Sequence, residues 1–364
     1  FPYDFAGWNG SGRDYASWSF RKAEKFFDVV TYTGNGSTTY AHSLNAIPAF
    51  VLYKATSTTS SWLACTRKND GSYVVNILNG TTGTIFSYAD ADAMGLTETT
   101  FNPNPTGASS VGTEYVAYLF ASDAGGFGDD GSENIIKCGS YTGNGSSTGP
   151  EINLGFEPQW LMAKRASGGT GEWWLVDNMR GMVNGGNDAV LFPNQAYAED
   201  SSNVIKPTST GFQLQDSGTR VNASGSTYIY IAIRRPMKTP ESGTEVFAPI
   251  AYSGTDSNQT LTTNFPVDMF NIMRRNGTST DGLLDRLRGQ IPFLVTQSTA
   301  AENTSFTSSQ MPLQDSNTGI TVQGQYFNSV GHTHVMHAFK RATGFFDVVA
   351  YTGNGTTPRN ITHN

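Results

Sequence analysis

Apolar residues along this chain come in short runs that are separated by turns rich in Gly, Asn, Ser and Thr. Residues 27–33 are rich in β-branched and aromatic residues and lead into Gly34-Asn-Gly36, and Asn-Gly favours the positive φ values of a tight hairpin turn. Residues 47–54 and 157–164 each hold a short apolar run after a proline and are bounded by turn residues, which is typical of buried strands. We find no 3.6-residue apolar stripe of the kind that predicts a helix. The pattern predicts an all-β chain.

The same strand-and-turn pattern recurs along the chain. Copies of Tyr-Thr-Gly-Asn-Gly, one of them degenerate, begin at Tyr32, Tyr141, Tyr252 and Tyr351. A second pattern, a Gly followed by an alternating apolar run, begins at Gly12, Gly112, Gly225 and Gly331. The period of about 105 residues matches an independent domain and is too long for one rung of a solenoid. Residues 20–36 resemble residues 339–355 most closely, which indicates a super-repeat of three modules, A, B and C.

These repeats divide the chain into three modules and two partial ones. We expect module A at 26–123, module B at 135–238 and module C at 245–344, with 1–25 as the end of a preceding module and 345–364 as the start of a further one. About seven strands in each module predict tandem antiparallel β-sandwiches, either jelly-roll-like or immunoglobulin-like. One of those strands is expected at 74–78 in A, 189–192 in B and 291–295 in C.

Composition narrows the range of partners. Only 15 % of residues are charged, the net charge is −7, and Ser, Thr, Asn and Gly supply most of the polar surface. Nucleic-acid binders carry basic patches, so nucleic acid is not an expected partner. No apolar run approaches the roughly 18–20 residues that span a bilayer, so we expect no membrane insertion. Such a composition suits an extracellular or particle-surface protein.

The search for catalytic residues is mostly negative, and we predict a protein that is not an enzyme and has no metal or cofactor. The sequence lacks a phosphate loop and a Cys-x-x-Cys pair. His332 and His334 would share one face of a strand, but His334 aligns with Tyr15, Tyr115 and Tyr228, which favours an aromatic packing position. The acidic residues of 129–133 are expected in a solvated loop, and Cys65 and Cys138 are expected to be buried thiols.

The candidate binding residues are aromatic and lie in module B: Trp173, Trp174 and Tyr197. Aromatic faces stack on the apolar faces of sugar rings. Alternation along a strand predicts that one of the adjacent tryptophans points into the core and the other outward. Asp177 with Arg180, echoed by Asp285 with Arg288 in C, indicates an ion pair with a structural purpose.

Several segments together resemble a known family. Residues 26–36, 173–181, 228–238 and 285–289 resemble the repeated β-modules of tail-fibre and other tail-associated structural proteins of tailed, often marine, bacteriophages. The similarity extends over essentially the whole chain. Module C departs from it, since it lacks the Gly-Asn-Gly turn and the tryptophan, so a ligand site is not expected to recur in every module.

The resemblance implies a structural virion protein, a tail fibre or another surface appendage involved in host attachment. It would be assembled in the host cytoplasm and exposed on the virion surface. Its expected partners are further copies of itself, with a trimer as one candidate, other virion proteins and a host-surface glycan. The alternatives are a carbohydrate-active depolymerase, which needs paired carboxylates in a cleft, and a bacterial surface adhesin or array of carbohydrate-binding modules.

Overall fold

The computed structural model describes residues 10–12, 14–36, 39–235, 238–279, 281–351, 353–361 and 363. The protein is mostly β, with antiparallel sheets in about three modules and almost no helix. No helix among these residues is long and apolar enough to cross a membrane. Part of the terminal segment expected at 1–25, residues 1–9 and 13, lies outside the described residues.

Module A is built on a six-stranded sheet. Its strands are β1 (Phe27–Thr33), β2 (Tyr40–Ala41), β3 (Phe50–Ala55), β4 (Leu63–Arg67), β5 (Tyr73–Ile77), β6 (Phe86–Tyr88), β7 (Thr100–Phe101) and β8 (Glu114–Phe120). The sheet order is β1-β8-β3-β4-β5-β6, and β2 and β7 form a separate pair. The strand expected from the sequence at 74–78 corresponds to β5.

Module B encloses its core between two sheets. Its strands are β9 (Ile136–Thr142), β10 (Glu151–Asn153), β11 (Pro158–Arg165), β12 (Trp173–Asp177), β13 (Asp188–Val190), β14 (Asp200–Ser202), β15 (Ile205–Thr208), β16 (Gly211–Leu214) and β17 (Thr227–Arg234). A four-stranded sheet, β12-β11-β17-β9, faces a three-stranded sheet, β10-β16-β15, and both contribute to one apolar cluster.

Module C repeats this plan with fewer strands. They are β18 (Phe247–Ser253), β19 (Gln259–Thr262), β20 (Met269–Arg274), β21 (Gly282–Asp285), β22 (Gly319–Val322) and β23 (Thr333–Phe339), with one short helix, α1 (Gly324–Asn328). The main sheet is β18-β23-β20-β21. The strand expected at 291–295 is reduced to isolated bridges at Phe293 and Leu294. Pro292 has no N–H to donate to a ladder, which explains the interruption.

The three modules have equivalent central strands, and each central strand pairs with the opening strand of its own module. β8, β17 and β23 each lie between two neighbours, and one of these is always the opening strand, β1, β9 or β18. A stacked aromatic pair marks the same place in each module, with Tyr32 on Tyr115, Tyr141 on Tyr228 and Tyr252 on His334. The first tyrosine of each pair donates its hydroxyl to a backbone carbonyl of the facing loop, at Ala108, Val221 and Phe327.

The turn after each opening strand requires glycine. A Cβ atom on Gly34 would lie 2.3 Å from the carbonyl oxygen of Ser110, and Gly143 and Gly254 face Ala223 and Ser329 in the same way. No side chain fits at that approach. The repeated Gly of the turn is therefore explained by the loop that closes over it.

Candidate functional site: the groove between modules A and B

A groove of about 640 Å³ lies between modules A and B. Module A contributes the end of β4 and the turn after it, and module B contributes β9 and the residues around β10. Most of its lining side chains are polar, and they include Arg67, Lys68, Asn69, Asp123, Lys137, Ser140, Thr142, Glu151 and Asn153. A concave surface with convergent polar groups is the usual setting of a ligand site.

Asn69 fixes the floor of this groove. Its side-chain amide donates to the carbonyl oxygen of Ser140 at 2.8 Å, and its Oδ1 accepts from the Ser140 N–H at 3.1 Å. β9 is the last strand of its sheet, so these two bonds occupy backbone groups that an edge strand leaves unpaired. One side chain of module A thus continues the ladder of module B.

Gly139 makes this approach feasible. A Cβ atom there would lie 2.3 Å from Oδ1 of Asn69 and 2.6 Å from the hydroxyl oxygen of Tyr230. A larger residue would separate the turn of module A from β9. The groove therefore depends on a glycine inside a strand, which is a position where glycine otherwise weakens the structure.

Charges of both signs line the groove. Lys137 lies 3.5 Å from Asp123, and Lys68 lies 3.1 Å from Asp70. With the amide and hydroxyl groups beside them, Lys68, Asp123 and Lys137 offer donors and acceptors to the groove, which suits a ligand rich in hydroxyl groups. Cys138 is buried, and burial raises the pKa of its thiol well above the ordinary value, so it is not an activated nucleophile.

The structure places the predicted aromatic residues differently from expectation. Trp173 and Trp174 point to opposite faces of the sheet, as alternation predicts, but both are buried, at 1 % and 0 % exposure. Trp174 lies in the core of module B, and Trp173 packs on Phe50 of module A. The prediction of an outward-pointing tryptophan is wrong because module A covers that face.

Of the three predicted binding residues, only Tyr197 offers an exposed ring. It is 61 % exposed and packs edge-on against Phe192, with ring centroids 5.8 Å apart. It does not line the groove between modules A and B. The structure therefore does not bring the three predicted residues together into one surface.

The predicted ion pair is present in both modules. Arg180 binds Asp177 at 2.7 Å, and Arg288 binds Asp285 at 2.6 Å. Each arginine also reaches a glutamate, at Glu199 in B and Glu302 in C. Both arginines donate to a carbonyl oxygen of the preceding strand, which ties a loop to that strand in the same manner twice. This repetition identifies a scaffold element.

The remaining polar candidates also make contacts that stabilise the fold. His334 stacks on Tyr252 at 5.1 Å, so it occupies the aromatic packing position that its alignment indicated. In the loop at 129–133, Asp130 accepts from the N–H and hydroxyl of Ser132, and Glu133 binds Arg234 at 2.9 Å. Within the described part of the chain, no group of three or more His, Cys, Asp or Glu residues is arranged to hold a metal ion.

The two cysteines are free thiols and both are buried. Burial raises the pKa of Cys65 as well as that of Cys138. The sequence-based expectation of buried thiols is confirmed.

Comparison of the sequence with models of known families identifies the family of this chain. Residues 3–236 match the model of a domain of unknown function, DUF7483. The chain belongs to the DUF7483 family. No curated protein matches the sequence. The match includes modules A and B with the groove between them and stops before β18, so the family domain contains the whole candidate site and not module C.

Sequence reasoning missed the groove of this DUF7483 protein, although one signal was present. Gly139 interrupts an otherwise ordinary strand pattern, and an isolated glycine in a strand often marks a close approach by another part of the backbone. Asn69 and Lys137 lie in different modules, so no local spacing connects them. Their proximity follows only from the packing of A against B.

Proposed function

We propose that this chain is a structural protein of the virion of a tailed bacteriophage, a tail fibre or another surface appendage that acts in host attachment. The observation that supports this best is the rigid connection of repeated β-modules. Modules A and B contribute to one apolar cluster, and B is joined to C through the buried pair of Glu157 and Arg341. Modules fixed in this way keep a constant spacing between what lies at either end.

The polar features that recur also support a scaffold role. The Asp-Arg pair of modules B and C holds a loop against a strand, and the stacked aromatic pair of all three modules holds a strand against a loop. Contacts that recur at equivalent positions in several modules support a scaffold role, because a catalytic residue would have to escape the repetition.

For host contact, the proposed surface is the A/B groove, with Tyr197 as a separate exposed contact. The proposed ligand is a host-surface glycan, because the groove presents amide, hydroxyl and charged groups and sugars carry hydroxyl groups in all directions. Weak single sites would gain avidity if several copies presented them together, as in a homo-oligomer, for which a trimer remains one candidate. Other virion proteins would anchor the chain.

Labelling of virions tests the proposed location. Gold-labelled antibodies against the purified chain are expected to mark the tail or its fibres in electron micrographs, and excess soluble chain should compete the label away. Label on the host cell wall, with none on virions, would favour the surface-adhesin alternative.

A second experiment tests the proposed mode of action. The purified chain is incubated with host polysaccharide, and binding and reducing ends are measured in parallel. We expect binding without release, and weaker binding for Lys137→Ala than for the matched control Lys206→Ala outside the groove. Steady release of reducing ends in proportion to protein would replace the proposal with the depolymerase alternative.

A further inference from the structure

Three basic side chains lie together at one end of module C. Arg274 ends β20 and lies opposite His334 of β23 in the antiparallel register, and His332 precedes β23 on the same side as His334. Residues directly opposite each other on antiparallel strands have Cβ atoms about 5 Å apart. Burial, and then the charges of Arg274 and His332, lower the pKa of His334, as expected of groups that lie close together.

These side chains carry buried nitrogen atoms that have no hydrogen-bond partner in the described part of the chain. The atoms are Nε of Arg274, Nδ1 of His332 and both ring nitrogens of His334. His334 is 2 % exposed, so bulk solvent does not hydrate its ring. Nη2 of Arg274 donates to the hydroxyl of Ser329 at 3.2 Å, and no described carboxylate forms an ion pair with Arg274. Buried polar groups in folded proteins are nearly always paired, so this cluster implies a binding partner.

Module B has equivalent residues, but there the polar atoms are satisfied within the module. The register that pairs Arg274 with His334 pairs Arg165 with Tyr228. Nε and Nη2 of Arg165 donate to two carbonyl oxygens of the loop that follows it, and Nη2 also donates to the hydroxyl of Ser226 at 2.8 Å. The Tyr228 hydroxyl accepts from one loop N–H and donates to a loop carbonyl. In module B this arrangement is therefore part of the scaffold.

Module C keeps the arginine and replaces both of its neighbours with histidine. His334 stands where module B has Tyr228, and His332 stands where module B has Ser226. An imidazole is shorter than a phenol, and neither nitrogen of His334 makes the loop contacts of the tyrosine hydroxyl. The same position that is structural in module B thus presents unused donors in module C. Module C also lies outside the DUF7483 match.

We infer that module C binds a small oxyanion, namely a carboxylate, sulfate or phosphate group, between Arg274, His332 and His334. The planar guanidinium presents Nε and Nη2 as a fork that matches two oxygens of such a group, and each neutral imidazole adds one N–H donor. Water accepts the same hydrogen bonds but leaves the charge of Arg274 without a counterion. A metal cation does not fit, because the guanidinium would repel it. The site is separate from the A/B groove and does not depend on the proposed function.

NMR of the histidine rings tests the site in the purified full chain. The chain is titrated with phosphate, sulfate and acetate at constant ionic strength, and each ring signal is assigned from a variant that lacks that histidine. We expect saturable shifts for His332 and His334. His337, on the opposite face of β23, and His42, in module A, are internal controls whose signals should stay in place. No saturable shift with any of the three anions, or equal shifts of all four histidines, would overturn the inference.

Two variants separate recognition of the anion from folding. Arg274→Gln should weaken binding about tenfold because it removes a charge-assisted fork, whereas the control Arg275→Gln removes the same charge from the next residue and should not. The double variant His332→Ser with His334→Tyr gives module C the residues of module B, so it should fold normally and no longer bind the anions. Unchanged affinity in Arg274→Gln, or binding retained by the double variant, would show that these side chains do not form the site.

Sugars distinguish the two sources of such a group, a free ion and an acidic glycan. Glucuronate and glucose differ at one carboxylate and are titrated in the same way. Tighter binding of glucuronate than of acetate would support the site and identify a sugar-borne acid as its ligand, while saturation by inorganic phosphate or sulfate alone would support the site and identify a free ion. Equal shifts with glucose and glucuronate would contradict recognition of an oxyanion.

Discussion

Module B is joined to its two neighbours by contacts of different kinds. Toward module A, the outer face of β17 presents Ile229, Ile231 and Ile233 to an apolar cluster that includes residues of both modules. Toward module C, the contact includes buried ion pairs, with Glu157 bound to Arg341 through two bonds of 2.7 and 2.6 Å, and Arg235 bound to Asp268 at 3.0 Å.

The difference indicates which modules form one folding unit. Burial of apolar area is the main favourable term in folding, so A and B stabilise each other. A buried ion pair loses much of its attraction to desolvation but is costly to break, so it fixes the orientation of C more than it adds stability. The family match, which includes A and B only, has the same boundary.

Trp173→Ala is expected to have the largest effect, a loss of about 5 kcal/mol in the free energy of unfolding. The fully buried ring would leave a cavity, and the Ile77 carbonyl would lose the indole N–H that binds it at 3.1 Å. Denaturant unfolding should then show separate transitions for A and B.

Trp174→Ala is the matched control for that prediction. It removes the same ring from the other face of β12, inside the core of module B. It should destabilise B without uncoupling A from B. A single transition for Trp173→Ala would contradict the assignment of A and B to one unit that this ring helps to join.

Arg341→Met is expected to cost about 3 kcal/mol, because it leaves the Glu157 carboxylate buried without its partner. We place the cost at the lower end because Arg235 remains nearby. Module C should become sensitive to proteolysis while A and B keep their unfolding transition.

The double variant Glu157→Gln with Arg341→Met separates charge from packing. Since both charges are removed, it should recover part of the loss. If the double variant is as unstable as the sum of the single ones, the pair does not act as a unit.

Much of the fold could be predicted from the sequence, because strands, turns and repeats are local patterns. The alignment of His334 with three tyrosines correctly identified a packing position. The burial of Trp173 could not be predicted from alternation, since alternation gives the face and not what covers it. The continuous apolar run of β17 was the available signal, because strands buried on both faces lose their alternation. Glu157 and Arg341 lie far apart in the sequence, and no periodicity connects them.

Lys164 lies at the junction of modules A and B. We expect it to make the stability of that junction depend on pH, which is a smaller effect than those above. Its buried Nζ donates to the Gly80 carbonyl of A at 3.0 Å and to the Gly171 carbonyl of B. Burial lowers the pKa of Lys164 to about 8, although Glu172 opposes this. Above pH 8 the unfolded chain holds more protons than the folded one, so the stability contributed by this residue rises with pH, by at most about 1.4 kcal/mol per pH unit.

The measurement is the difference in the unfolding free energy of A and B between the original chain and Lys164→Met from pH 8 to 9.5, because the buried thiols and tyrosines, whose pKa values burial raises, change the stability of both proteins equally in this range. Lys164→Met should remove the rise and cost about 1.5 kcal/mol at pH 8, because two carbonyl groups lose their donor. A rise of the same slope in Lys164→Met would assign it to other groups.

His334→Tyr is expected to have the smallest effect, a gain of about 1 kcal/mol in module C from one added hydrogen bond. The new ring would stack on Tyr252, and its hydroxyl would accept from a loop N–H, as the hydroxyls of Tyr115 and Tyr228 do in modules A and B.

The effect of His334→Tyr should also depend on pH. Burial, with the charge of Arg274, lowers the pKa of His334. Below about pH 6.5, His334 is protonated in the unfolded chain but largely neutral in the folded module. The stability of C therefore falls as the pH falls. The gain from tyrosine should accordingly be larger at pH 5 than at pH 7 when the thermal unfolding of C is followed. His337→Tyr, on the opposite face of β23, controls for the loss of a histidine alone, and an equal gain there would show that stacking on Tyr252 is not the cause.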